Sequence, residues 1–168
     1  RKSYDRDGKM AGRGRVSGSL LEEIAAGDEY LSLLPPKTTG RERYGNAFVD
    51  DVLERAKMLS LPQEDIVATL TAYTARSIAA SLRDFCPERI DKLVVGGGGS
   101  RNQTLLSFLR KELAPCPVLI QEDLGLDSDS KEAVAFAVLA NEAVEGLANS
   151  LPRVTGARHP VVMGKVSF

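Results

Sequence analysis

With 168 residues, 43% hydrophobic and 27% charged, the chain has the size and apolar content of one ordinary globular domain with a sizeable core, which excludes disorder. No apolar stretch approaches the roughly 20 residues that a membrane helix needs, so no membrane partner is expected. Lys plus Arg (22) and Asp plus Glu (23) nearly cancel, so no whole-chain field favours nucleic acid, and small-molecule partners are expected.

The chain opens on Arg1 with neither an initiator methionine nor a signal peptide, and Tyr4-Asp5-Arg6-Asp7-Gly8 reads as the middle of a fold. A domain of something longer is expected. Residues 4–16 are polar and glycine-rich with an Asp7-Gly8 turn signal, which suits a short hairpin or a strand and loop. Residues 17–26 carry Leu20, Leu21 and Ile24 at helical spacing, with Ser17 or Ser19 as N-cap and Gly27 as a stop. Residues 28–43 hold Pro35-Pro36 and Lys37-Thr38-Thr39-Gly40-Arg41 and read as a loop, because proline removes donors and restricts its neighbour.

Residues 46–59 place Phe48, Val49, Val52, Leu53 and Ala56 on one helix face, capped by Asn46. From 62 to 85, Ile66, Leu70, Tyr73, Ile78, Leu82 and Phe85 recur at about one helical turn, with Gln63, Glu64 and Asp65 favouring the N-terminal end. Residues 90–95 form an apolar strand that stops at four glycines, Gly96 to Gly99. A helix carrying Leu105, Leu106, Phe108, Leu109 and Leu113 runs to Pro115, and residues 117–120 form a β-branched strand. Helix, strand, glycine turn, helix and strand in that order predict a parallel α/β unit.

Residues 124–130 are an acidic loop, and the alanine-rich segment 131–145, apolar almost all round, predicts a buried helix ended by Gly146. The tail is loop with one apolar run, Val161-Val162-Met163. Cys86 and Cys116 each stand beside a proline without metal-ligand spacing, so a reduced, cytoplasmic protein is the simple reading. His159 has no Ser or Cys partner pattern and reads as a surface residue, while the tyrosines and phenylalanines fall at core spacing and read as packing.

Four glycines in a row cost backbone entropy, so they imply unusual backbone angles or something that approaches the main chain closely. A Walker A loop is absent, since no Lys follows at the required distance. A dinucleotide fingerprint is weak: Arg101 occupies the third glycine position, and Gln121-Glu122-Asp123 only loosely matches the acidic residue that should follow. Either the turn amides contact a phosphate, or the main chain lies flat against a nucleoside, or this is a glycine-rich turn with no ligand.

Five ordered blocks carry a resemblance. They are Tyr4-Asp5-Arg6-Asp7-Gly8; Pro35-Pro36-Lys37-Thr38-Thr39-Gly40-Arg41-Glu42; the run from Val94 to Asn102; the run from Leu124 to Ala137; and Asn149-Ser150-Leu151-Pro152-Arg153-Val154-Thr155-Gly156-Ala157. Together they resemble the C-terminal half of the anhydro-N-acetylmuramic acid kinases. The resemblance implies an α/β fold, the C-terminal lobe of an actin/hexokinase-like (ribonuclease H-like) protein with a mixed sheet flanked by helices, spanning residues 1–168. It also implies transfer of a phosphoryl group from ATP to 1,6-anhydro-N-acetylmuramic acid, with water opening the anhydro ring, to give N-acetylmuramic acid 6-phosphate in peptidoglycan turnover.

Carried over residue by residue, the resemblance puts Gly97, Gly98, Gly99 and Asn102 on the adenosine side of ATP, with helix capping as the alternative for Asn102. Gly96 stands where the family usually has another small residue. Glu132 matches a glutamate on the sugar side, and Lys37 and Thr38, with Thr39 and Arg41, form a proline-stiffened loop suited to closing over substrate. Asp127 and Asp129 read as capping or solvated groups.

The family's phosphate loop and catalytic aspartate lie upstream of the matched blocks, so no catalytic residue is assigned here, the base is expected before Arg1, and the Mg²⁺ ligands are expected outside this chain. The isolated chain is therefore expected to be inactive and to leave an apolar face uncovered where the missing N-terminal lobe packs. A homodimer is compatible with a sequence that does not fix the oligomeric state. Two other readings stay open: a non-catalytic nucleotide- or sugar-binding module that retains the fold, and a dinucleotide or S-adenosylmethionine enzyme built on the same strand, turn and helix.

Overall fold

In a computed structural model of the protein, residues 4–86 and 88–165 are described. They are mostly helical with one small parallel sheet, and they fall into two compact units that meet in sequence between Gln121 and Glu122.

The spine of the first unit is α3, Gln63–Phe85. Pro62 precedes it, and Glu64 and Asp65 stand in its first turn, where the helix dipole favours carboxylates. Helices α1 (Gly18–Gly27) and α2 (Asn46–Met58) lie on one side, so that Leu20, Ile24, Val52, Ala56 and Tyr73 form a buried cluster. On the other side α3 contributes Ala75 to a second cluster with Leu106, Leu109 and Val118. Those residues come from α4 (Gln103–Glu112) and β2 (Val118–Ile120). Each fully buried Leu contributes about 1.5–3 kcal/mol relative to exposure, which makes these two clusters the principal support of the unit.

β1 (Leu93–Val95) pairs in parallel with β2, and the register matches Leu93 with Val118 and Val95 with Ile120. The predicted strand, glycine turn, helix and strand are therefore present. The strand begins at Leu93 rather than Ile90, and the described residues hold a parallel pair in place of the mixed sheet that the resemblance implies.

Two further expectations are corrected. Residues 4–16 form no strand but two 3-10 turns, Arg6–Gly8 and Ala11–Arg13. The Asp5 carboxylate accepts from the Met10 and Ala11 amides at 2.8 and 2.9 Å, and Asp7 and Gly8 both take positive φ, which bends the chain too tightly for pairing. Asn46 is the first helical residue of α2 and Gly45 holds the cap position, with no side-chain cap. Ser17 does cap α1, accepting from Leu20 at 3.4 Å.

In the second unit, α5 (Lys131–Val144) is a helix as expected but buries none of its side chains. Within its unit the tail at 161–165 lies along one side of it and leaves a groove of about 610 Å³, bordered by Phe136, Leu139, Ala143 and Met163. A short strip covers too little to bury an all-round apolar helix. The unit also holds a four-residue helix, α6 (Pro152–Thr155), closed by Gly156 in the left-handed conformation, which the loop reading of the tail missed. His159 is exposed as expected, and both cysteines are free thiols.

Candidate functional site

The glycine turn is built at the carboxyl end of β1. Gly96 is extended, and Gly97 to Arg101 then turn as a 3-10 segment before α4. Ser100, buried, donates its hydroxyl to the Gly97 carbonyl at 2.8 Å, and the Asn102 amide donates to the Gly99 carbonyl at 3.1 Å. The Asn102 Oδ1 accepts from the Leu105 amide at 2.9 Å, so this side chain caps α4.

The glycines have separate causes. A Cβ at Gly96 would stand 2.3 Å from the Gln121 Oε1, and Gly97 has φ +72, so local structure accounts for both. Gly99 makes ordinary contact, with Leu105 Cδ2 3.7 Å from its would-be Cβ. Gly98 has neither a positive φ nor any heavy atom within 4 Å of that position. The fold does not require glycine there. The main chain there is open to close approach, as it also is at Gly18 and Gly27, where nothing lies within 4 Å of the ideal Cβ either.

The turn is braced from the N-terminal block as well. Thr104 donates its hydroxyl to the Gly8 carbonyl at 2.7 Å, and a Cβ at Gly8 would fall 2.0 Å from the Asn102 Oδ1. Gly8 and the start of α4 at Asn102 and Thr104, nearly a hundred residues apart, thus meet at one place. That juxtaposition could not be read from spacing.

The loop with Lys37 and Thr38 is tied to the residues just ahead of it. The Lys37 ammonium donates to the Tyr30 and Leu31 carbonyls at 3.1 and 3.2 Å and sits over the Tyr30 and Phe85 rings at 4.8 and 4.3 Å. Two of its three donors are taken, while Thr38, Thr39 and Arg41 are exposed. Past the loop, Arg43 and Tyr44 return to Asp28, only 8% exposed at the end of α1. Asp28 accepts from Arg43 Nε at 3.1 Å, the Tyr44 hydroxyl at 2.6 Å, the Tyr30 amide at 3.1 Å and the Tyr73 hydroxyl.

Burial opposes the charge of the Asp28 carboxylate, but the bonds from Tyr44, Tyr73, Arg43 and the Tyr30 amide outweigh it and hold the carboxyl below its usual range. Burial, followed by the bond to Asp28, pushes both tyrosine hydroxyls up. Sequence reading missed this hub by treating residues 28–43 as loop throughout. The available signal was an acidic residue directly after the helix stop, with tyrosines downstream.

Gln121 lies against Gly96, a neighbour of the turn that sequence reading did not single out. Glu132 is exposed in the first turn of α5, in the second unit. Asp127 accepts from the Asp129 and Ser130 amides at 3.3 and 3.1 Å, which closes the turn ahead of α5; the cap position itself is Ser130, with no side-chain cap bond. Among the described residues no group of three or more His, Cys, Asp or Glu is arranged to hold a metal ion.

A parallel strand pair, with a capped helix and a glycine turn at its carboxyl edge, puts the described residues in the α/β class, mostly helical with a small parallel sheet. Comparison with known proteins narrows the class. The family model for anhydro-N-acetylmuramic acid kinase matches residues 1–168, and the chain belongs to that family. It is 47% identical over 168 residues to the anhydro-N-acetylmuramic acid kinase of Caldanaerobacter subterraneus subsp. tengcongensis, covering 99% of this chain and 42% of that protein. The kinase of Bacillus cereus strain 03BB102 is 41% identical over 169 residues, covering 98% of this chain and 44% of that protein. The chain therefore spans less than half the length of these curated relatives.

Proposed function

We propose that the full natural polypeptide carrying this sequence is an ATP-dependent sugar kinase that converts 1,6-anhydro-N-acetylmuramic acid to N-acetylmuramic acid 6-phosphate in the cytoplasm. The family match over the whole chain supports the activity, and one structural observation carries the role of this part: the unobstructed main chain at Gly98. Gly97, Gly98 and Gly99 form the shelf for the adenosine of ATP, and Asn102 holds the shelf by capping α4. ATP supplies the phosphoryl group. What these residues do is orient its nucleoside end and keep side chains out of its way.

For the sugar, the second unit offers the Glu132 carboxylate, favoured by the α5 dipole. The first unit, by itself, offers the Thr38 hydroxyl on a loop held by Lys37. Lys37 keeps one ammonium donor for substrate. The greater length of the relatives supports a second lobe carrying the phosphate loop, the Mg²⁺ ligands and the base, with the present chain as the C-terminal lobe of an actin-like kinase. The test is a coupled assay of ADP release with the anhydro sugar. The full polypeptide should turn over and the 168-residue chain should not; ATP-dependent phosphorylation by the short chain alone would overturn the division of labour.

A further inference from the structure

At the carboxyl edge of the strand pair one polar atom lacks a partner. The register that matches Val95 with Ile120 sets Gln121 beside Gly96. The Gln121 Oε1 is buried and accepts no hydrogen bond. Its carboxamide lies where a side chain at residue 96 would begin, with Oε1, Cδ and Nε2 at 2.3, 2.5 and 3.0 Å from the ideal Cβ position. Glycine at 96 is therefore what lets this carboxamide lie on the turn.

A buried acceptor left unpaired costs stability, and such groups in native proteins call for a cause. Here the orphan stands at the base of the turn whose next two glycines, Gly97 and Gly98, face open space. The Oε1 is buried, so it meets a ligand by rotation about the last side-chain torsion, which in glutamine is broad and roughly two-fold and requires no backbone movement.

We propose that Gln121 is a specificity residue of the nucleotide site: its carboxamide oxygen accepts a hydrogen bond from a donor on the nucleoside laid over Gly98. This rests on the glycine turn being the adenosine shelf. The donor is a ribose hydroxyl or the exocyclic amine of the base, which are the neutral donors a nucleoside presents. An unpaired acceptor in the ligand-free protein becomes a paired one in the complex, so the group favours binding at the expense of the free state.

The test uses the full natural polypeptide and its Gln121→Met and Gln121→Ala variants, with ATP affinity from calorimetry and melting of the ligand-free protein. Methionine keeps the length and removes the orphan. ATP affinity should fall about tenfold, the loss of one buried hydrogen bond, while the ligand-free melting temperature of Gln121→Met stays level or rises. Inosine triphosphate, 2′-deoxy-ATP and 3′-deoxy-ATP identify the donor: for the analogue lacking it, wild type and variant should bind alike. The proposal is overturned if both variants bind ATP as wild type does, if Gln121→Met melts lower in step with its lost affinity, or if the penalty is the same with all three analogues. If the wild type itself binds no ATP, the reading of the glycine turn fails, and this proposal with it.

Discussion

Helices α3 and α5 both carry carboxylates in the first turn and alanine-rich apolar runs, yet they end in opposite surroundings. α3 buries Ala68, Thr69, Tyr73, Ala75 and Ala79 between two sets of neighbours, whereas α5 leaves Phe136 70% and Val144 72% exposed. Helix formation is a local matter of propensity and end charges. Burial depends on which elements stand nearby. The first unit contains the cover for its own helices, and the second does not cover α5.

The sharpest way to break this contrast is at the hub of the first unit. Asp28→Ala removes the acceptor of Arg43, Tyr44 and Tyr73 and leaves their donors unpaired, so urea unfolding should show a loss of about 3–5 kcal/mol. A loss below about 1 kcal/mol would mean that the hub is an ordinary surface ion pair. Leu106→Ala, in the second buried cluster, should cost about 2–5 kcal/mol by the same measurement.

The hub also sets a pH response. A carboxyl held below its unfolded value contributes stability that is fully present above about pH 3.9 and is lost as pH falls through the folded value. Urea midpoints of wild type and Asp28→Asn should therefore run parallel between pH about 5 and 7 and converge below about 4. Parallel lines throughout would show that Asp28 does not carry the acid response.

The smallest effect is expected on α5. Phe136→Ser removes a side chain that is already in water, so in the 168-residue chain its cost should be within about 0.5 kcal/mol. The same substitution in the full natural polypeptide sharpens the comparison. A cost there of about 2 kcal/mol or more would show that the rest of the protein covers this face.

Much of the local structure was legible in sequence because it is written in neighbours. The long helix, expected over 62–85, is α3 at Gln63–Phe85, and the second strand, expected over 117–120, is Val118–Ile120. Periodicity and proline punctuation are enough for that. The Asp28 hub was not legible, since it joins residues 15, 16 and 45 positions apart through side-chain bonds. The burial of α5 was misread for a related reason: composition tells what a helix could bury, and only its neighbours decide whether it does.

The site divides in the same way. Four consecutive glycines marked the turn, but spacing treated them alike, and only the geometry separates Gly96 and Gly97, which local structure accounts for, from Gly98 and Gly99, which it does not. Asn102 had two readings from sequence, and its Oδ1 is engaged in the cap. Gln121 carried no signal beyond its place after a strand, because an orphaned acceptor is a property of packing.

The central claim is that Gly98 is glycine for the sake of a nucleotide. Gly98→Val in the full natural polypeptide, followed by calorimetric titration with ATP and by melting without ligand, tests it most directly. A residue with no heavy atom within 4 Å of its ideal Cβ should accept the side chain with little change in melting, while ATP affinity falls at least about tenfold. Wild-type ATP affinity in a normally folded Gly98→Val protein would contradict the account.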